Sequence, residues 1–305
     1  MSDAFKALRF INPRHGLAVR MSPMVRRLIA PNQGPFTYSG TGTYLIGEKQ
    51  LAVIDPGPDD PDHIDAILHA VGAARVSHIL ITHTHRDHSP GARLLQERTG
   101  APCYGLGRHG TAARDDLPAG LVGGAGEEGA DVDFVPDHHL ADGDEIRGRG
   151  WTLKALWTPG HTSNHLCFAL MAENAIFTGD HIMGWSTSVI SPPDGDMGRY
   201  MRSLQLIKDC NAAILWPTHG PPILQPRAHI SGLIQHRVDR EKGIIGCLEN
   251  KPCGVEEIVA SLYVDLDPRL YPAAQRSVLA HLVDLADRKI IKFEGLFDQS
   301  GRFFV

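Results

Sequence analysis

Apolar positions along this chain switch between a two-residue and a 3.6-residue period, and the switches mark out its elements. Residues 25–29 and 43–46 read as strands around a Pro31-Asn32-Gln33-Gly34-Pro35 turn, and residues 51–54 follow as another. Ile64, Ile67, Leu68 and Val71 fall at helical spacing, which predicts a helix over 60–71 with acids in its first turn. The apolar run 77–81 reads as a short buried strand, and residues 93–98 as part of a second helix. Residues 105–130 are rich in glycine with scattered charge and are expected to loop over the surface. Residues 151–157 and 166–172 look like paired strands, the second turning at Glu173-Asn174 into 175–177. Strands interleaved with helices predict two sheets faced by helices, a layered sandwich.

The pattern changes after Pro226. Residues 230–248 read as a long helix, 254–263 as a short one, and 273–288 as a third, with Val278, Leu279, Leu282, Val283 and Leu285 forming its apolar stripe. Residues 290–294 and 302–305 predict a terminal β-hairpin. The expected division is therefore a catalytic unit over 1–222 and a small C-terminal unit over 223–305. No internal repeat is visible.

At 305 residues and 42% hydrophobic content, the chain can fill a sizeable core. A net charge of −5 gives no global attraction to nucleic acid or anionic membrane. The five cysteines (Cys103, Cys167, Cys210, Cys247, Cys253) are odd in number and show no C-x-x-C spacing, so reduced thiols are expected. No apolar run is long enough to span a membrane, and no signal-peptide core is present. Lys6, Arg9, Arg14, Arg20, Arg26 and Arg27 against a lone Asp3 give the first 27 residues the charge of a transit peptide. Pro13 and Pro23 interrupt the amphipathic helix such a peptide needs, and the expected location is the cytoplasm.

The candidate chemistry sits just past strand ends. Thr82-His83-Thr84-His85-Arg86-Asp87-His88 follows the apolar run 77–81 and packs three imidazoles and a carboxylate into seven residues. Imidazole and carboxylate together suit zinc, and also iron or manganese. Four donors within six positions exceed what one tetrahedral ion takes from a single loop, which points to two ions. The same grammar recurs at Pro159-Gly160-His161, Thr178-Gly179-Asp180 and Pro217-Thr218-His219. A water shared between two dications loses its proton near neutral pH, so hydrolysis by a bridging hydroxide is the expected reaction. Asp87 and Asp180 are the candidate catalytic carboxylates, with a secondary role as proton carriers.

These motifs resemble the metallo-β-lactamase superfamily, whose signature is H-x-H-x-D-H followed by a lone His, a lone Asp and a final His. The resemblance covers roughly residues 20–222. It implies a four-layer αββα sandwich, with one ion on His83, His85 and His161, a second on Asp87, His88 and His219, and Asp180 bridging them. The β-lactamases proper lack the bridging Asp and use a Cys in the second site. Asp180 therefore points away from antibiotic hydrolysis, toward the glyoxalase II, lactonase and nuclease side. Around this set, Asp55 stands where the family keeps an Asp that orients a histidine, though an Asp before Pro56 also suits a turn. His165 and His181 are candidates for the same surrounding shell, or are hydrogen-bonded structural histidines. His138-His139 reads as surface.

The C-terminal pattern resembles a winged helix, the appendage of the superfamily branch that contains β-lactamase-like endoribonucleases. That branch also resembles thioesterases acting on acyl-carrier substrates, and Met183–Ser188 offers it hydroxyls and an indole. From residue 223 onward 11 Lys/Arg balance 11 Asp/Glu, so the unit lacks the basic face of a DNA reader. A packing or dimerisation module, and with it a homodimer, is expected instead. Only 38 residues separate Asp180 from His219, which excludes the cleavage-factor nucleases with their large insertion. The expected function is thus a two-zinc hydrolase of a small ester or thioester. The alternatives are a single-strand-specific endoribonuclease acting on RNA, or a non-catalytic winged-helix binding protein.

Overall fold

Alternating strands at the N-terminal end build the first of two sheets. The computed structural model describes residues 14–117, 121, 129–264, 266–298 and 300–305. In it β1 (Val19–Arg20), β2 (Val25–Ile29), β3 (Gly42–Ile46), β4 (Gln50–Ile54), β5 (Arg75–Leu80), β6 (Cys103–Gly105) and β7 (His138–His139) lie side by side in chain order. The pairing is antiparallel to β4 and parallel from there on. Parallel neighbours need crossovers, and α1 (Pro61–Val71) and α2 (Gly91–Thr99) supply the two that lead into and out of β5. α1 begins where it does because the Asp60 carboxylate accepts from the amides of Asp62 and His63, with Pro61 in the first turn.

The second sheet runs β12 (Ile214–Pro217), β11 (Ala175–Gly179), β10 (Leu166–Leu170), β9 (Trp151–Trp157), β8 (Glu145–Gly148). Its one parallel pair, β11 with β12, is joined through α3 (Met197–Asp209). Alternation sorts each strand's side chains between faces. Leu166, Phe168 and Leu170 of β10 pack with Phe177, Trp216, Tyr44, Ile54 and Leu80 between the sheets. Cys167 faces outward with Ile176 and Leu215, toward Tyr200, Leu204 and Ile207 of α3. On the far side, Leu45, Val53 and Ile79 pack against Ile64 and Ile67 of α1 and Leu95 of α2. The order of layers is helix, sheet, sheet, helix.

Beyond β12 come α4 (Pro226–Asn250), α5 (Val255–Leu262), α6 (Tyr271–Asp287) and the hairpin β13 (Lys292–Glu294) and β14 (Arg302–Phe304). α4 belongs to two cores. Ile230 and Leu233 complete the outer layer of the second sheet, while Ile244 and Leu248 pack with Val255, Ile258, Val278, Leu282 and Phe303 of the tail. The helix starts at Pro226, one turn before the first periodic apolar residue, because proline is well tolerated in a first turn.

Besides the shortest strands, three segments differ from the sequence pattern. Residues 197–209, given no element above, form α3: Met197, Tyr200, Leu204 and Ile207 are its buried stripe and Asp196 its N-cap. His138 and His139 are exposed as expected, yet they form the edge strand β7, with His138 stacked on Tyr104. The glycine-rich stretch 105–130 is more than a surface loop where it is described. Leu117 and Leu121 pack on the tail core, and Arg114 pairs with both Asp196 and Asp287. The rest of that stretch (118–120 and 122–128) lies outside the described residues, as do residues 1–13 of the basic N-terminal segment. All five cysteines are unpaired, and no helix among the described residues is long and apolar enough to cross a membrane.

Phe168 is fully buried between the sheets, whereas Leu224 is 73% exposed. Phe168→Ala should cost about 3–5 kcal/mol through lost burial and a residual cavity. Leu224→Ala should stay within about 0.5 kcal/mol. Urea denaturation of both variants measures the contrast.

Candidate metal centre

Four chain segments leave one rim of the sandwich and turn inward. His83, His85, Asp87 and His88 follow β5, His161 follows β9, Asp180 directly follows β11, and His219 lies two residues past β12. Two glycines make the approach possible. Gly160 (φ 151°) packs so closely on Tyr200 that a β-carbon would overlap its Cα. Gly179 (φ 49°) leaves only 2.6 Å between a notional β-carbon and His165 Nε2.

Protons around the cluster are fixed by its surroundings. Asp55, held in the left-handed region (φ 49°), accepts from the Thr82 amide at 2.8 Å, Thr82 Oγ1 at 2.7 Å and Thr218 Oγ1 at 3.3 Å. It also accepts from His88 Nδ1 at 2.9 Å. A carboxylate only accepts, so the His88 proton sits on Nδ1. The Thr82 hydroxyl proton is spent on Asp55, so Thr82 Oγ1 accepts from His83 Nδ1 at 3.0 Å. His161 Nδ1 donates to the Val189 carbonyl at 2.7 Å, and His219 Nδ1 to the Gly40 carbonyl at 3.3 Å. In each neutral ring Nε2 is therefore a lone pair aimed into the cluster, a tautomer assignment that follows from the network.

Those lone pairs meet. His83 Nε2 and His161 Nε2 lie 2.9 and 3.1 Å from His85 Nδ1, three nitrogens with room for at most one proton among them. Burial, reinforced by the neighbouring histidines, holds the pKa of His83 well below its usual value and that of His85 at about 3. Burial lowers His161 as well. Beside them, Asp87 Oδ2 sits 3.2 Å from His88 Nε2 and 3.0 Å from His219 Nε2. Asp180 Oδ1 is 3.5 and 3.4 Å from the same two nitrogens, and its Oδ2 is 3.9 Å from His161 Nε2. Close as they are, His88 Nε2, Asp180 Oδ1 and His219 Nε2 make no aligned hydrogen bond, and Asp87 Oδ1 is likewise buried without a partner. They converge on shared points rather than on each other. Burial would lower His219, but Asp180 and Asp87 outweigh it and push it up to about 10; His88 is likewise raised against its burial by Asp87, Asp180 and Asp55. The cluster demands positive charge, and divalent cations would meet the demand in place of those protons. The donors fit such ions in three overlapping groups: His83, His85, His161; His83, His88, Asp180; and Asp87, His88, His219.

The structure brings all seven sequence-derived donors together and puts the three surrounding candidates in different positions. Asp55 touches His88 directly and His83 through Thr82. His165 stacks its ring on His83, 5.1 Å between centroids, but turns neither nitrogen to the cluster. It accepts the Asp180 amide at 3.2 Å on Nε2 and bonds Thr158 through Nδ1, so it fixes the backbone that carries the carboxylate. His181 points away, edge-on to Tyr200, and burial holds its pKa at about 3. Thr82 and Thr218 escaped the sequence reading although each immediately precedes a donor histidine. The Val189 and Gly40 carbonyls carry no side-chain signal at all. Of the hydroxyls in Met183–Ser188, that of Ser188 is turned inward onto the Asp180 and His181 carbonyls. The indole of Trp185 stacks on Tyr38 at 5.2 Å, and the neighbouring Gly184 amide donates to the His219 carbonyl. A cleft of about 310 Å³, lined by Asn32, Pro35, Phe36, Pro58 and Arg86, opens onto Asp87.

A family model described as the metallo-beta-lactamase superfamily matches residues 39–219. The chain belongs to the metallo-beta-lactamase superfamily. A second model, the beta-lactamase associated winged helix domain, matches residues 255–299 of the tail. The chain is similar to the beta-lactamase-like protein 2 homolog of Caenorhabditis elegans, 32% identical over 90% of this chain and 86% of that one. It is also similar to an atrochrysone carboxyl ACP thioesterase of Aspergillus chevalieri, 31% identical over 89% of this chain and 84% of that one. A beta-lactamase domain protein from Burkholderia ambifaria shares the fold, with a TM-score of 0.75 at 21% identity over 96% of this chain and 94% of that one. This superfamily member is thus a hydrolase, with the αββα sandwich and a C-terminal winged helix.

Gly160→Ala should strain the turn that delivers His161, through both its positive φ and the overlap with Tyr200. The expected cost is about 1–3 kcal/mol of overpacking. A melting temperature unchanged from wild type would show that the close approach is not needed.

Proposed function

We propose that the chain hydrolyses a small-molecule thioester, and that it does so with two divalent ions, zinc first and iron or manganese next. The observation that carries the metal reading is the set of buried lone pairs facing one another across the seven donors. The thioester reading is supported by thioesterase-named relatives that align with most of the chain. His83, His85 and His161 would hold one ion, and Asp87, His88 and His219 the other. Asp180 would hold both, its two oxygens being turned to opposite groups. Such a pair of ions supplies, when bound, a nucleophile from water at neutral pH and polarisation of the acyl oxygen.

The chain's own residues do the rest. Asp55 keeps the His88 proton on Nδ1 and, through Thr82, that of His83, so both Nε2 lone pairs stay turned inward. His165 holds the Asp180 backbone. The cleft beside Phe36 receives the acyl group, and Arg86 at its wall supplies an exposed cation. Water adds to the acyl carbon, the carbon–sulfur bond breaks, and acid and thiol leave. Asp87 and Asp180 would carry the proton from water toward the thiolate.

A panel of thioesters, lactones, phosphodiesters and single-stranded RNA tests the assignment on the zinc-loaded protein. Turnover should be fastest on thioesters. Activity confined to phosphodiesters or RNA would replace this reading with an endoribonuclease.

Elemental analysis of the loaded protein should find about two ions per chain, since seven donors exceed the need of one tetrahedral ion. Asp180→Ala should weaken at least one ion and remove most activity. Asp55→Ala should leave the ion count unchanged at saturating metal and cost about 10–100-fold in metal affinity or activity. Two ions at wild-type affinity with near-normal turnover in Asp180→Ala would remove the bridge.

The charge-balanced tail should not confer sequence-specific duplex binding, because it lacks the cationic surface that makes phosphate contacts. Titration of the full chain against a random and a selected duplex at low salt should show no tight, salt-sensitive complex with either.

A further inference from the structure

The C-terminal region reaches the loop behind the donor cluster with a buried guanidinium. Arg237 lies on α4 and is only 3% exposed. Among the described residues no carboxylate comes within ion-pairing distance of it. Its two contacts are a hydrogen bond of 2.5 Å from Nη2 to the Ser188 carbonyl and the face of the Tyr200 ring, 5.3 Å from its centroid. Around it are more cations and no compensating acid in contact. His281 of α6 is held neutral by burial and by Arg237 and Arg240. Burying an unpaired guanidinium costs several kcal/mol, and an apolar side chain would fill the space at lower cost. The charge is therefore spent on its acceptor.

That acceptor belongs to the loop which orients the cluster. Ser188 Oγ donates to the Asp180 and His181 carbonyls at 2.5 and 3.0 Å, closing the loop back onto the backbone of the central carboxylate. The next carbonyl, Val189, is the one that takes the His161 Nδ1 proton at 2.7 Å. Adjacent carbonyls on one short loop thus point to a guanidinium from the tail and to a candidate metal ligand. Tyr200, the ring under Arg237, is also the residue against which Gly160 packs. Arg237 is therefore linked to His161 by two routes, through Ser188 to the neighbouring Val189 carbonyl and through Tyr200 to the Gly160 turn.

We propose that Arg237 is a positioning residue for the metal centre: it clamps the Ser188 carbonyl, next in the chain to the Val189 carbonyl that holds His161, and so sets the orientation of His161 and Asp180. α4, the helix that leads into the winged helix, then serves the reaction from behind the site, as a buttress. This inference rests on reading the seven donors as a metal centre.

The test uses the full chain with cobalt(II) as the probe, comparing wild type, Arg237→Met and Arg237→Lys. Circular dichroism and melting first establish which variants fold. Cobalt titration then reads affinity, and the visible d–d spectrum reads ligand geometry independently of turnover. Folded Arg237→Met should bind at least one ion about 10–100-fold more weakly, the range for partners outside the ligand set, with an altered spectrum. Arg237→Lys, which keeps the charge but loses the planar fork, should fall between. Wild-type affinity and spectrum in a folded Arg237→Met would overturn the proposal. So would loss of fold in both variants, which would make Arg237 a general packing residue. Fewer than two ions in the wild type would instead count against the metal reading itself.

Discussion

Imidazole nitrogens and the carboxylates of Asp87 and Asp180 face one another at 2.9–3.9 Å, buried and short of protons, and the sandwich has to hold them there against both repulsion and lost hydration. Ordered strands do this at low entropic cost, because a residue just past a strand end has little freedom left to lose. Each donor segment departs from a strand, and each donor histidine whose bonding is described has its outward nitrogen bonded. Asp55 is the most heavily used of these outer groups, since one carboxylate serves both ends of the Thr82–His88 segment and the threonine before His219. Its positive φ is a local backbone cost that four accepted hydrogen bonds offset.

Legibility in the sequence followed the physics of each element. Strands buried on one or both faces were visible as apolar runs, and residues 25–29 and 151–157 coincide with β2 and β9. α3 was not visible, because Gly198 and the polar Arg199, Arg202 and Gln205 dilute a stripe of only a few apolar positions. The short strands β6, β7 and β8 were invisible for another reason. Two to four residues carry no period, and it is the neighbouring strand that makes them strands.

The donor cluster was legible because metal-type side chains at strand ends are rare and conspicuous. What lies behind it was less so. His165 and His181 sit near donors in sequence yet behave differently, since only tertiary packing decides that one ring caps the Asp180 amide and the other turns to Tyr200. Backbone carbonyls such as Val189 leave no trace in a sequence, and neither does an arginine 49 residues from the carbonyl it binds.

α4 carries a consequence for how this molecule can be divided or recombined. Recognisable family segments end at 219 and resume at 255, which suggests two modules that could be exchanged among relatives. The helix between them contributes Ile230 and Leu233 to one core and Ile244 and Leu248 to the other. A cut or graft anywhere along it would strip an apolar strip from the back of the second sheet, or from under the winged helix, and leave an adhesive surface in water. Ancestry can be modular here while solubility is not, and any chimera would have to carry α4 together with both of its neighbours.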